Sequence, residues 1–159
     1  MMSVARRLSE CTDFRCVFRL VKQCVREVLG RERAGVSLAL VELPASIAAA
    51  SMPDGTIILN RTLLRALGES LSRVEFNAYL FYVLLHEYLH TLGYVSDEVV
   101  EELAAEVCSE KLGRNHLSTK IAVDGLRVVL AKLRRIPSPS GSGVEVVLGI
   151  DSEVMDYYS

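Results

Sequence analysis

Two histidines and a glutamate lie close together in the chain, at a spacing that suits metal chemistry. The stretch reads His86-Glu87-Tyr88-Leu89-His90 and uses two of the three histidines in the sequence. In a helix, a spacing of four residues puts both imidazoles on one face, one turn apart, where they can bind the same ion. Glu87 then lies about a quarter-turn away, where it can act on a metal-bound water as a general base. The motif therefore predicts a metal site with its own proton acceptor.

The same residues could instead be two structural histidines bonded to their neighbours, with Glu87 on the helix surface. By ordinary residue frequencies, however, HExxH arises by chance in well under about one chain in a hundred of this length. Burying two imidazoles and a carboxylate without a metal or bonded partners would cost on the order of several kcal/mol. We therefore favour the metal site.

A long buried helix is expected to carry this motif. Ser72 and Glu75 have the spacing of a capping box, which begins a helix that runs to about Leu92. Residues 76–85 are mostly apolar on every side, which is typical of a central helix covered from all directions. The polar motif at its end therefore needs a functional explanation.

The remaining elements predict a small α+β domain around this helix. Apolar periodicity and end signals indicate further helices at 13–30, 61–67, 97–112 and 118–135. Residues that favour β structure indicate strands at 36–43, 47–51 and 56–59, the last two joined by a Met-Pro-Asp-Gly turn. We expect a small sheet packed on the central helix, with three to four further helices.

The composition changes after this region. We expect residues 1–136 to form a single domain and residues 137–143, rich in Pro, Ser and Gly, to form a linker. Residues 144–159 would be a tail, either an added strand, a disordered end or a segment that folds back across the cleft.

A zinc site of this kind needs a third protein ligand and an open position for water. The candidate side chains on and after the acidic helix are Asp97, Glu98, Glu101, Glu102, Glu106 and His116. If the chain reverses between Gly93 and Ser96, the rise of the helix puts Glu101 or Glu102 level with the histidine pair. Glu101 lies on the more apolar stripe of the helix, so burial alone favours it.

The motif followed by a glutamate on a later helix resembles the gluzincin clan of zinc peptidases. Residues 48–109 are similar to its compact members, the minigluzincins and the catalytic core of the CaaX-prenyl-protease family. Glu102, Ala105, Glu106 and Ser109 fit the second motif of that clan. The resemblance therefore implies a zincin-like fold in which His86, His90 and Glu102 bind zinc, and it implies that Glu106 holds a ligand histidine.

A second resemblance, ranked lower, is to the metzincins, in which a glycine and a further ligand follow HExxH. Gly93 fits that glycine. The ligand position holds Ser96, and Asp97 comes one residue late.

The first resemblance implies a zinc-dependent metallopeptidase that acts on a peptide or protein, with Glu87 as the general base. By analogy, an extended substrate would pair with strand 56–59 at the edge of the sheet. Tyr94 is close enough in sequence to stabilise an oxyanion, although a packed aromatic is the favoured interpretation.

Two alternatives to a constitutively active peptidase remain open at this point. Some minigluzincins are held latent by a C-terminal segment, and a tail carboxylate such as Asp151 or Glu153 could do the same here. Alternatively, the chain is a non-catalytic protein that keeps the fold to bind a metal or to present an interaction surface.

Composition narrows the class of protein further. The 159 residues are 50% hydrophobic and 24% charged with a formal net charge of -2, which excludes general disorder and predicts neither nucleic acid nor membrane as a partner. With no membrane-spanning stretch and no secretory signal, the expected location is cytoplasmic. The four cysteines, at positions 11, 16, 24 and 108, are expected to be buried thiols, with a disulfide involving Cys11 or Cys16 as the alternative.

Overall fold

The computed structural model describes residues 2–139 and 144–147, and within those ranges the fold is α+β with seven helices and four strands. The helices are α1 (Val4–Ser9), α2 (Phe14–Leu29), α3 (Arg61–Ser70), α4 (Arg73–Thr91), α5 (Asp97–Leu112), α6 (Leu117–Asp124) and α7 (Arg127–Leu130). The strands are β1 (Ser37–Val41), β2 (Ala49–Ser51), β3 (Thr56–Asn60) and β4 (Val144–Val147). None of the helices in residues 2–139 combines the length and the apolar character that a membrane crossing requires.

The strands form one mixed sheet in the order β2-β3-β1-β4. β1 pairs in parallel with β3, while β2 pairs antiparallel with β3 and β4 pairs antiparallel with β1. The prediction that residues 56–59 form a sheet edge is therefore wrong. The predicted turn folds β2 back along the outer side of β3, with the Asp54 side chain accepting a bond from the Thr56 N–H and Gly55 at a φ of 95°.

α4 is the central helix, as its apolar sequence predicts. It begins with the Ser72–Glu75 capping box and packs against the other long helices and against β2 and β3. At its other end, Arg31 donates a hydrogen bond to the Leu92 carbonyl and Arg33 donates one to the Thr91 carbonyl. Two cations thus satisfy carbonyls at the negative end of the helix dipole, and they fix the turn that carries His90.

The helix count differs from the prediction of three to four helices besides the central one, because six others lie in residues 2–139. The segment predicted as one helix over 118–135 breaks at Gly125, whose φ of 94° ends α6 before α7 begins. The short α1, capped by Ser3, has too few residues to show an apolar period.

The predicted tail begins as part of the sheet, since β4 is its fourth strand and Glu145 pairs with Arg61 at 3.3 Å. Residues 148–159, which include Asp151 and Glu153, lie outside the described residues, as do residues 140–143 of the predicted linker.

The cysteine prediction is wrong for one pair and confirmed for the other. Cys11 and Cys16 form a disulfide across the start of α2, where the Asp13 N-cap brings their Cα atoms to 5.5 Å. Cys24 and Cys108 are free and buried, and burial raises the pKa of both thiols to about 12.

Glu42 joins β1 to α3 through a buried carboxylate whose side chain is 3% exposed. Its oxygens accept hydrogen bonds from the Thr62 hydroxyl, from Arg61 at 2.8 Å and from Arg65 at 3.1 Å. These bonds hold the pKa of Glu42 at about 2, below the usual 4.5, and the bond from Thr62 has the largest effect. A carboxyl shifted in this direction stabilises the fold above pH 4.5 and loses that effect as the pH falls towards 2.

Replacing Glu42 by Gln is therefore expected to lower the Tm at neutral pH, with the difference from wild type shrinking as the pH falls below 4.5. Thermal unfolding followed by circular dichroism across this range measures both effects. Glu10→Gln is the matched control, since Glu10 forms only an exposed pair with Arg6 at 3.8 Å. An equal Tm for Glu42→Gln and wild type at neutral pH would contradict the stabilising role of this carboxylate.

Candidate metal centre

Three side chains from two helices converge at the end of α4. His86 and His90 lie one turn apart with ring centroids 5.0 Å from each other. Asp97, the first residue of α5, places Oδ1 2.9 Å from Nε2 of His90 and 3.6 Å from Nε2 of His86. One ligand atom from each residue lies within 4.8 Å of the other two, so the group could hold a metal ion.

The spacing of these atoms fits a shared ion. Two ligands at ordinary zinc distances and the tetrahedral angle are about 3.3 Å apart. The two distances to Asp97, 2.9 Å and 3.6 Å, lie on either side of that value. Both separations from Asp97 are therefore compatible with one shared ion.

The outer nitrogen of His90 has a partner that decides where its proton lies. Nδ1 is 2.8 Å from the carbonyl oxygen of Tyr94, which can only accept, so Nδ1 carries the proton. In the neutral ring, Nε2 then directs a lone pair at the Asp97 carboxylate. Nε2 of His90 and Oδ1 of Asp97 are 2.9 Å apart, and two such electron-rich atoms repel each other unless a cation or an additional proton lies between them.

The outer nitrogen of His86 contacts a hydroxyl group, which can donate or accept a hydrogen bond. Its Nδ1 is 3.4 Å from the hydroxyl oxygen of Tyr82, a buried residue one turn earlier on α4. Burial and then the neighbouring His90 lower the pKa of His86, although Asp97 and Glu101 oppose the shift. Burial therefore favours the neutral imidazole, which is the form that binds metals.

Glu87 lies beside the three side chains and is only 7% exposed. Burial raises the pKa of Glu87 to about 7, while the charge of His90 and a hydrogen bond from Ser51 oppose the shift and Asp97 adds to it. A carboxyl with a pKa near neutrality can both accept and release a proton at physiological pH. Ser51 belongs to β2, so this strand faces the Glu87 carboxyl across the cleft.

These residues open onto a cleft of about 600 Å³ between β2 and the helices. One wall is the segment 46–51, and the opposite side is formed by α4, the start of α5 and the turn at Gly125 and Leu126. The Asn60 amide donates to the carbonyls of Pro44 and Ile47, which fixes the segment leading into that wall. No lysine or arginine is among the described residues that line the cleft, whereas Asp97 and Glu101 are.

The structure does not bring the predicted third ligand, Glu102, to the histidines. Glu102 is exposed and neither joins the metal-binding group nor lines the cleft. The turn between the helices is short enough to place the first residue of α5 against His90, so Asp97 occupies the position that we expected for a residue one turn later. Glu101 shares the cleft-facing side of α5 with Asp97, at a spacing of four residues, and Glu102 lies about 100° further round the helix.

Glu101, the residue that burial alone favoured, lines the cleft but is not part of the group. Glu106, expected to hold a ligand histidine, is exposed on α5, and the Tyr82 hydroxyl and the Tyr94 carbonyl contact the outer nitrogens instead. The sequence did contain a signal for Asp97. It lies one residue after the position at which the metzincin pattern, counted from Gly93, places a metal ligand.

The remaining candidates have structural roles. His116 caps α6, where its Nδ1 accepts a bond from the Ser118 N–H. The ring of Tyr94 packs beneath the Arg31 guanidinium at 5.1 Å, which confirms its interpretation as a packed aromatic. Sequence reasoning missed Tyr82, whose signal was its position four residues before His86 on the same helix face.

No protein-family model, curated protein or solved structure matches this chain.

Proposed function

We propose that this chain is a zinc-dependent metallopeptidase with a zincin-like fold, in which His86, His90 and Asp97 bind the zinc ion. The observation that carries the proposal is the convergence of both Nε2 atoms on one oxygen of Asp97, with buried Glu87 beside them in an open cleft. Two imidazoles and a carboxylate form a donor set typical of zinc in hydrolases, where three protein ligands leave a position for water. Hydrolysis of a peptide library that requires both zinc and Glu87 tests it.

Different groups in the cleft would carry out different parts of the hydrolysis. Zinc, when bound, supplies Lewis-acid polarisation and lowers the pKa of water. Glu87 accepts the proton of the attacking water and later donates it to the leaving amine. Ser51, on the facing strand β2, lines the same cleft as Glu87.

The edge strand β2 provides a binding site for an extended substrate. The Asn60 N–H bonds the Ala48 carbonyl and the Met52 N–H bonds the Thr56 carbonyl, so positions 48 and 52 face β3. In an antiparallel pair the backbone groups alternate in direction, and those of Ala49 and Ser51 therefore face away from β3. A peptide could pair with them as an added strand along the cleft.

Replacing Ala49 by Pro tests this binding mode, because proline removes an outward N–H and is tolerated on an edge strand. The loss of one backbone hydrogen bond, worth about 1 kcal/mol, is expected to raise KM roughly fivefold with zinc content unchanged. Ala49→Gly keeps the N–H and is the matched control. The proposed pairing is wrong if the proline variant shows the KM of the glycine variant.

A further inference from the structure

We propose that Tyr82 is a positioning residue that orients His86 as a metal ligand; the inference rests on the metal site of the proposed function. The Tyr82 hydroxyl oxygen is 3.4 Å from Nδ1 of His86, and the two rings lie 5.9 Å apart between centroids. Tyr82 is only 7% exposed, so packing holds its ring in place. The hydroxyl therefore stands at a fixed point beside the imidazole.

The contact lies on the side of the imidazole away from the ligand atom. Nε2 of His86 faces Asp97 at 3.6 Å, while Nδ1 faces the hydroxyl. A metal held at Nε2 would leave the proton of the imidazole on Nδ1, and the tyrosine oxygen can accept a hydrogen bond from it. Tyr82 thus orients the ring when Nε2 binds a metal.

The second histidine shows the same arrangement with a different partner. Nδ1 of His90 donates to the backbone carbonyl of Tyr94 at 2.8 Å. A carbonyl cannot be removed by substitution, whereas the Tyr82 hydroxyl can be removed while its ring is kept. His90 therefore serves as an internal reference for any change at His86.

The alternative is that Tyr82 only fills the core, and a neighbouring tyrosine separates the two roles. Tyr79 lies on the same helix, is 1% exposed and does not line the cleft. Tyr79→Phe removes a buried hydroxyl as Tyr82→Phe does, but away from the histidines. An effect confined to Tyr82→Phe cannot come from packing alone.

The experiment compares wild type, Tyr82→Phe and Tyr79→Phe in two measurements. Competition with a chelator measures zinc affinity, which should fall about 10-fold to 100-fold in Tyr82→Phe and stay unchanged in Tyr79→Phe. ¹H–¹⁵N spectra of the zinc-loaded protein report the Nδ1–H proton of each histidine. In Tyr82→Phe the His86 Nδ1–H signal should shift and exchange faster with water, while the His90 signal stays in place.

Unchanged zinc affinity or an unchanged His86 signal in Tyr82→Phe would overturn the positioning role. An equal loss of affinity in both variants would do so as well, because it would indicate a general effect on the core. A wild type that binds no zinc would instead overturn the proposed function, and this inference with it.

Discussion

Replacing Glu87 by Gln is expected to abolish peptide hydrolysis while zinc remains bound. Glutamine has nearly the same shape as glutamate but cannot take a proton from water, and a general base contributes about 10²-fold to 10⁴-fold to the rate. Glu87 is not among the three side chains that could hold the metal, so zinc content should not change. Cleavage of a peptide library and elemental mass spectrometry on the same preparation measure the two effects together.

Glu106→Gln is the matched control, because it makes the same chemical change on an exposed residue outside the cleft. It should keep the activity of wild type. If Glu87→Gln keeps full activity, Glu87 is not the base and the mechanism is wrong. If the wild type binds zinc and cleaves nothing, while Glu87→Gln keeps every other measurable property, the chain is a metal-binding scaffold and not a peptidase.

Loss of Asp97 should release the zinc, whereas loss of Glu102 should not. Removing a group that only supports a ligand costs about 10-fold to 100-fold in metal affinity, so removing the ligand itself in Asp97→Ala should cost more. His86→Ala and His90→Ala should have similar effects. Glu102→Ala should bind zinc as wild type does, since Glu102 lies outside the cleft and outside the group that could hold the ion.

Asp97 also stands in the first turn of α5, where an acid interacts favourably with the helix dipole. Glu98→Ala controls for this effect, because Glu98 is the other acidic residue of that turn. Zinc affinity, measured by competition, should fall in Asp97→Ala and not in Glu98→Ala. The opposite pattern for positions 97 and 102, with zinc retained without Asp97 and lost without Glu102, would favour the sequence-based ligand set over the geometry.

Local signals predicted the parts of the site that lie on one element. The capping box at Ser72 and the N-cap at Ser96 place the starts of α4 and α5 where the structure has them. The spacing within α4 puts His86 and His90 on one face, with rings 5.0 Å apart between centroids. These features depend on hydrogen bonds and periodicity within a few residues, which a single sequence contains.

The features that sequence reasoning missed depend on how elements meet. Asp97 instead of Glu102 follows from the path of the five-residue connection before α5, which sets which helical turn reaches His90. β2, and not β3, is an edge strand because β1 takes the other side of β3 in parallel pairing, a contact between distant residues. Neither the direction of a turn nor the order of strands is encoded in local periodicity.

The most direct test of the metal centre is the zinc content of the wild-type protein. The protein would be purified, supplied with zinc, dialysed against metal-free buffer and analysed by elemental mass spectrometry. We expect about one zinc per chain, as for a site with three protein ligands. A wild-type protein that retains no zinc after this treatment would contradict the metal centre and the metallopeptidase built on it.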